Sequence, residues 1–203
     1  MQNSVKFFQY GAEEVNYLKS KDRTLAALIE RIGHIYRPLD PDLFSSVIHH
    51  IVGQQISSKA QKTIWQKIND AYGDINPEKI ISVSLEELQS FGITFRKAEY
   101  IKDFCEKINS REFNLDEINN MTDEDAIISL SSLKGVGVWT AEMILLFCLQ
   151  RRNIFSFNDR AIQRGLCTVY HHRKIDRKLF EKYRRRFSPY CSVASLYLWE
   201  ASK

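Results

Sequence analysis

Apolar residues recur at three- and four-residue spacing from one end of this chain to the other, and that periodicity restricts its fold more than any other feature. Leu25, Leu28, Ile29 and Ile32 share one face of a helix. Phe44, Val47, Ile48, Ile51 and Val52 repeat the pattern, and Ile64, Trp65 and Ile68 face one way on a helix over about 57–72. Further helices are expected at 85–90, 95–109, 123–132, 138–150, 159–170, 177–186 and about 192–201, with Pro77, Gly92 and the stretch near Asn119 as punctuation. No alternating run long enough for a strand interrupts them. Only 8 Gly and 4 Pro in 203 residues argue against a turn-rich β sandwich, so the expected class is all-α. An apolar share of 44% supplies a sizeable core, for one large domain or two small ones.

The net charge is only +4, but it is unevenly spread. Between Arg151 and Arg186 there are 12 Lys/Arg against 3 Asp/Glu, leaving 17 against 22 in the remainder. One basic segment on a near-neutral body is the footprint of a phosphate-binding face or, equally, a solvated helix surface; the Arg184-Arg185-Arg186 run admits both readings. Cys105, Cys148, Cys167 and Cys191 have no metal-site spacing, and Cys105 and Cys148 sit in apolar patterns as reduced core thiols. The stretch from Met1 to Tyr10 has no apolar run, and Met143 to Leu149 is too short to span a bilayer, so an intracellular protein of cytoplasm and nucleoid, or nucleus, without a membrane is expected. The five histidines form no zinc pattern.

Two motifs carry chemistry. In Leu133-Lys134-Gly135-Val136-Gly137-Val138-Trp139-Thr140-Ala141, two glycines one residue apart separate two apolar helices. Such glycines let the backbone turn tightly and approach a ligand, and the next helix start can bind an anion. An ordinary connection with glycine caps would look similar. Past the second helix, in Ile154-Phe155-Ser156-Phe157-Asn158-Asp159-Arg160, Asp159 opens a further helix. By itself it reads as an N-cap, a place that also favours an anion.

Together these motifs resemble the helix-hairpin-helix superfamily of DNA glycosylases, over about Leu43 to the C-terminus. The resemblance implies two helical lobes with a DNA-binding cleft, within one glycosylase unit. The hairpin lies at about 123–150, and one lobe combines the N- and C-terminal helices. It implies that hairpin main-chain amides at Lys134, Gly135, Val136, Gly137, Val138 and Thr140 grip a phosphate, with Arg160 and Arg164 also on DNA. It makes Asp159 the catalytic carboxylate, whose fixed anion stabilises an oxocarbenium-like sugar as a base departs. Members that also cut the strand carry a nucleophilic lysine two residues past the second hairpin glycine; Trp139 stands there, which implies a monofunctional enzyme closest to DNA-3-methyladenine glycosylase II. About 40 residues ahead of the helical body suggest the compact form without an N-terminal β domain. A proline usual before the aspartate is replaced by Phe157 or Asn158.

The stretch Ile51-Val52-Gly53-Gln54-Gln55-Ile56-Ser57-Ser58-Lys59-Ala60 resembles the family's duplex-probing loop, which places Gln54, Gln55 and Ser57 on DNA and Gln55 or a neighbour in the gap left by a flipped base. Read without the resemblance, it is a polar turn with Ser57 as N-cap. Trp139 and Tyr190 are base-pocket candidates, since aromatic faces favour cationic bases. Tyr190 reads equally well as a core aromatic, and Trp65 and Trp199 read as core. The family's hairpins often hold a sodium or potassium ion, here through the carbonyls of Ser131, Leu133 and Val136. No further cofactor is implied, and Cys191 alone near the end cannot build an iron–sulfur cluster. The expected partner is damaged double-stranded DNA, met by a monomer that excises alkylated bases of the 3-methyladenine and 7-methylguanine type in base excision repair. A non-catalytic DNA-binding module, or a glycosylase for oxidised or deaminated bases, are the alternatives.

Overall fold

The computed structural model describes residues 5–40 and 42–203, and its helices begin where short polar side chains can cap them. α1 (Ala12–Lys21) starts after Gly11, whose N–H donates to Glu14 Oε2 (2.8 Å). α2 (Arg23–Ile32) is capped by Asp22, α3 (Leu43–Gly53) by Asp42 and α4 (Ser58–Tyr72) by Ser57. α5 (Pro77–Ser82) is capped by Asn76, α6 (Leu85–Ser90) by Ser84 and α7 (Phe95–Asn109) by Thr94. Asn114 caps α8 (Leu115–Ile118) and Thr122 caps α9 (Asp123–Ser131). α10 (Val138–Phe147) follows the glycine turn; Asp159 caps α11 (Arg160–Tyr170) and Asp176 caps α12 (Arg177–Phe187), while α13 (Cys191–Ala201) starts without a side-chain cap. Among the described residues the only extended pairing is the antiparallel bridge between Phe7 and Pro38, and no helix is long and apolar enough to cross a membrane.

Three helices escape the periodicity. α1 buries only Glu14 and Leu18, so it carries no apolar stripe. α5 begins at Pro77, a residue that breaks a helix interior but suits its first turn, where no N–H is needed. α8 is a single turn. In the other direction, the expected helix over 138–150 ends at Phe147.

The chain forms two compact units, with the boundary inside α10. The terminal unit takes the N-terminal segment to Leu39 together with Leu145–Lys203, and the central unit takes Asp40–Ile144. In the terminal unit, α13 is buried from Cys191 to Leu198 and lies so close to α11 that a Cβ on Gly165 would collide with the Leu198 carbonyl. Ile162, Leu166, Phe180 and Phe187 complete this core. Two ion pairs close it: Arg152 with Glu14 (2.5 Å), and Arg186 with the buried Asp22. Two arginines of the basic stretch 151–186 thus neutralise buried acidic groups of the fold, a use the charge count does not reveal.

In the central unit, Val47, Ile48, Ile51 and Val52 of α3 are buried with Ile64 and Ile68 of α4 and Ile101 and Phe104 of α7, and Phe44 stacks on Phe104 (5.4 Å). Asp40 accepts from Ser46 Oγ (2.6 Å) and lies 3.1 Å from His49 Nδ1 and 3.5 Å from His50 Nε2. Burial alone would raise its carboxyl, but the hydrogen bonds to His49 and Ser46 and the adjacent His50 ring outweigh it and hold the group well below the usual range.

Two outcomes follow from this packing. Gly165→Ala should cost about 2–3 kcal/mol by forcing α11 off α13, a drop of several degrees in Tm by thermal denaturation; an unchanged Tm would refute the close approach. The depressed Asp40 contributes stability that is present above the ordinary aspartate value of about 4 and lost as pH falls below it. The stability gap between the wild type and Asp40→Asn, read by urea titration, should therefore be full at pH 7 and shrink below pH ~4.

Candidate functional site

Asp159 is the N-cap of α11, and the cap fixes it. Its Oδ1 accepts the N–H groups of Ala161 and Ile162, both at 2.8 Å, and the Trp199 indole Nε1–H at 3.2 Å. Only 6% of the residue is exposed. The preceding loop lacks the proline, and other bonds hold it: the Asp159 N–H donates to Ser156 O (3.3 Å), the Gln163 amide to Phe157 O (2.5 Å), and the Phe157 ring lies between Phe180 and the Arg177 guanidinium. The N-cap reading of Asp159 therefore holds, and the cap leaves its carboxylate fixed at the head of α11. Arg160 and Arg164 lie exposed, four residues apart on α11.

Periodicity places Trp65 and Trp199 in the core, and both are half-buried instead. The Trp199 indole reaches Asp159, and its ring packs on Phe147 (5.4 Å), which in turn lies under the Arg37 guanidinium (4.6 Å). No spacing rule links residues 159 and 199; only the α11–α13 contact joins them. Tyr190 takes the other of its two readings. It is 8% exposed, its hydroxyl donates to Glu13 Oε1 (2.5 Å), and its ring meets Tyr17 (5.1 Å) and Arg152 (5.4 Å), so it is a packed aromatic under α1 and not an open pocket wall.

In the central unit the turn between α9 and α10 is a hairpin. Gly135 has φ +81°, and a Cβ there would strike the Tyr100 ring, whereas Gly137 faces open space. The Val136 N–H donates to Leu133 O (3.0 Å) within the turn, and its side chain is 3% exposed. Thr140, 5% exposed, can likewise offer only main chain. The α10 ladder begins with the Ala141 N–H donating to Gly137 O (2.9 Å), so the N–H groups just before it stand at the helix start. Val138 and Trp139 are exposed there, Trp139 by 41%. Lys134 is exposed and paired with Asp103 (2.5 Å).

The loop after α3 belongs to the same unit. Gln55 is exposed and takes φ +56°, rare for a residue with a Cβ. Ser57 accepts the Ala60 N–H (3.2 Å) as cap of α4. Gln54, expected on DNA, instead donates its amide to Gly135 O (2.6 Å). Lys97, which no sequence motif marks, donates to Val52 O (2.8 Å) and Gln54 O (2.7 Å).

For a monovalent ion the residues fit to this extent: Leu133 O accepts one turn N–H, and the Ser131 hydroxyl is buried with no hydrogen-bond partner among the described residues. No group of three or more His, Cys, Asp or Glu among the described residues could hold a metal.

With a capped aspartate and a glycine hairpin on an all-helical chain, the chain belongs to the HhH-GPD superfamily of base excision DNA repair proteins, which matches residues 48–189. It is similar to DNA-3-methyladenine glycosidase of Bacillus halodurans, with a TM-score of 0.85, 34% identity and coverage of 97% of this chain and 92% of that one. It is similar also to the 3-methyladenine DNA glycosylase of Schizosaccharomyces pombe solved with abasic DNA, with a TM-score of 0.81, 26% identity and coverage of 93% and 96%. In sequence, DNA-3-methyladenine glycosylase 1 of Schizosaccharomyces pombe is 27% identical over 196 residues, 92% of this chain and 86% of that protein.

Trp199→Phe keeps the ring contact with Phe147 but removes the donor to Asp159, and should lower stability by about 1–2 kcal/mol in urea denaturation. In an Asp159→Asn background the same change should matter less; additivity of the two would show that the hydrogen bond contributes nothing.

Proposed function

We propose that this chain is a monofunctional DNA N-glycosylase that flips alkylated bases out of duplex DNA and hydrolyses their N-glycosidic bond, leaving an abasic site. The observation that carries the reading is the carboxylate of Asp159, held by three donors at the head of α11. In a dissociative cleavage the sugar becomes oxocarbenium-like as the base leaves. A fixed anion stabilises that charge without reorganising and can orient the water that captures C1′. An N-alkylated purine leaves as a neutral base because it carries its positive charge beforehand, so it needs little acid assistance. Trp139 at the position of the lyase lysine offers no amine, so no Schiff base can form there and the strand stays intact.

The other roles follow from placement. The open face over Gly137 and the α10 start suit a DNA phosphate, with Lys134 adding charge in the same unit; in the terminal unit, exposed Arg160 and Arg164 suit the DNA backbone in their own right. Gln55, exposed at the tip of its loop, suits the gap left by the flipped base, and exposed Trp139 suits the base itself. Both units act as one monomeric glycosylase in the compartment that holds the DNA. A hairpin sodium or potassium ion on the Ser131, Leu133 and Val136 carbonyls would stiffen the turn; its removal at constant ionic strength should then weaken DNA binding.

Methylated duplex DNA incubated with the protein should release 3-methyladenine or 7-methylguanine, read by chromatography, with strands intact until alkali is added. Asp159→Asn should slow release by roughly 100-fold or more while binding to abasic DNA persists. Undiminished release by that variant would overturn the assignment.

A further inference from the structure

A loop that pushes a side chain into a base stack must not yield, because unstacking is unfavourable and the strain falls on whatever holds the wedge. The backbone of the loop after α3 is poorly held by its own bonds: Gln54 N–H reaches Ile51 O only at 3.4 Å, and Gln55 sits at φ +56°. Its firm attachments come from elsewhere in the central unit. The Lys97 ammonium is bonded to the carbonyls of Val52 and Gln54, at 2.8 and 2.7 Å, on either side of Gly53. The Gln54 amide is bonded to Gly135 O at 2.6 Å, at the left-handed glycine of the hairpin.

The α7 face that presents Lys97 also places the Tyr100 ring under Gly135 and pairs Asp103 with Lys134. One helix face, at positions 97, 100 and 103, therefore supports both the loop and the hairpin.

We propose that Lys97 is a positioning residue for base displacement: with Gln54 it latches the probing loop to the phosphate-binding hairpin, so that capture of the backbone fixes where the wedge enters. The inference rests on the glycosylase reading above. The competing account is that Lys97 only caps the C-terminal carbonyls of α3, as lysines commonly do. The two differ in what the residue does for a base that is already unpaired. A latch matters when a paired base must be forced out and matters little when it need not be; a simple cap affects both substrates alike.

The test uses the full chain and single-turnover excision of 7-methylguanine, once paired with cytosine and once in an unpaired bulge. Beside it, 2-aminopurine fluorescence next to a non-cleavable abasic analogue reports unstacking on binding without any chemistry. Lys97→Met should slow excision of the paired base roughly tenfold, that of the bulged base by less than about twofold, and reduce the fluorescence rise. Lys97→Arg, which retains the donors, should restore most of the loss. Gln54→Leu, at a position that is not in the core, should show the same pattern more weakly and decides the matter if Lys97→Met does not fold. Equal slowing on both substrates, or none on either, would overturn the latch. If the wild type unstacks DNA and Lys97→Met does not, yet neither releases a base, the glycosylase reading fails and the latch stands. If the wild type produces no fluorescence rise, the latch is overturned.

Discussion

The bonds that start α11 are the constraint on which the terminal unit depends. A helix leaves its first N–H groups without partners, and Asp159 satisfies those of Ala161 and Ile162 with one oxygen. The same two bonds fix the plane of a carboxylate that is 6% exposed. A third donor, the Trp199 indole, arrives only because Gly165 lets α13 come within touching distance of α11. Helix capping, interhelix packing and the candidate chemistry are thus one arrangement, and loosening any part loosens the others.

The central unit is organised differently, around a helix face and not a cap. Gly135 is required twice over, by its φ of +81° and by the Tyr100 ring against its Cα. Gly137 has no such neighbour, and its lack of a side chain instead leaves space on the outer face of the turn. The glycine pair so divides its labour: one makes the turn and seats it on α7, and the other leaves the outer face of the turn uncovered.

What could be read from the sequence was local. The helices with apolar stripes, the hairpin and the aspartate that heads α11 are all patterns within about ten residues, and Ser57 as a cap belongs with them. What escaped was long-range or disguised. Trp199 lies 40 residues from the carboxylate it touches, on a helix buried nearly all round, so its apolar surroundings read as core. Gln54 has the chemistry of a DNA contact and is spent on a carbonyl 81 residues away. Lys97 looks like one more solvated lysine on an amphipathic helix, yet burial pushes its ammonium pKa down while two carbonyls hold it. Tyr190 could be decided only by the arrival of Glu13 from the far end of the chain.

Gln55 shows why such remote supports exist. Its φ of +56° would suit glycine, which adopts that region at no steric penalty, and asparagine would tolerate it better than glutamine. On the function proposed for the loop, a glycine there would leave nothing to enter a base stack, and a shorter side chain would reach less far. The position therefore combines an unfavourable backbone with a long side chain, a combination that persists only where surrounding structure over-determines it. The bonds that do so tie the loop to Lys97, which donates to the Gln54 carbonyl, and to Gly135, whose carbonyl accepts from the Gln54 amide, so partners outside the loop help set its shape.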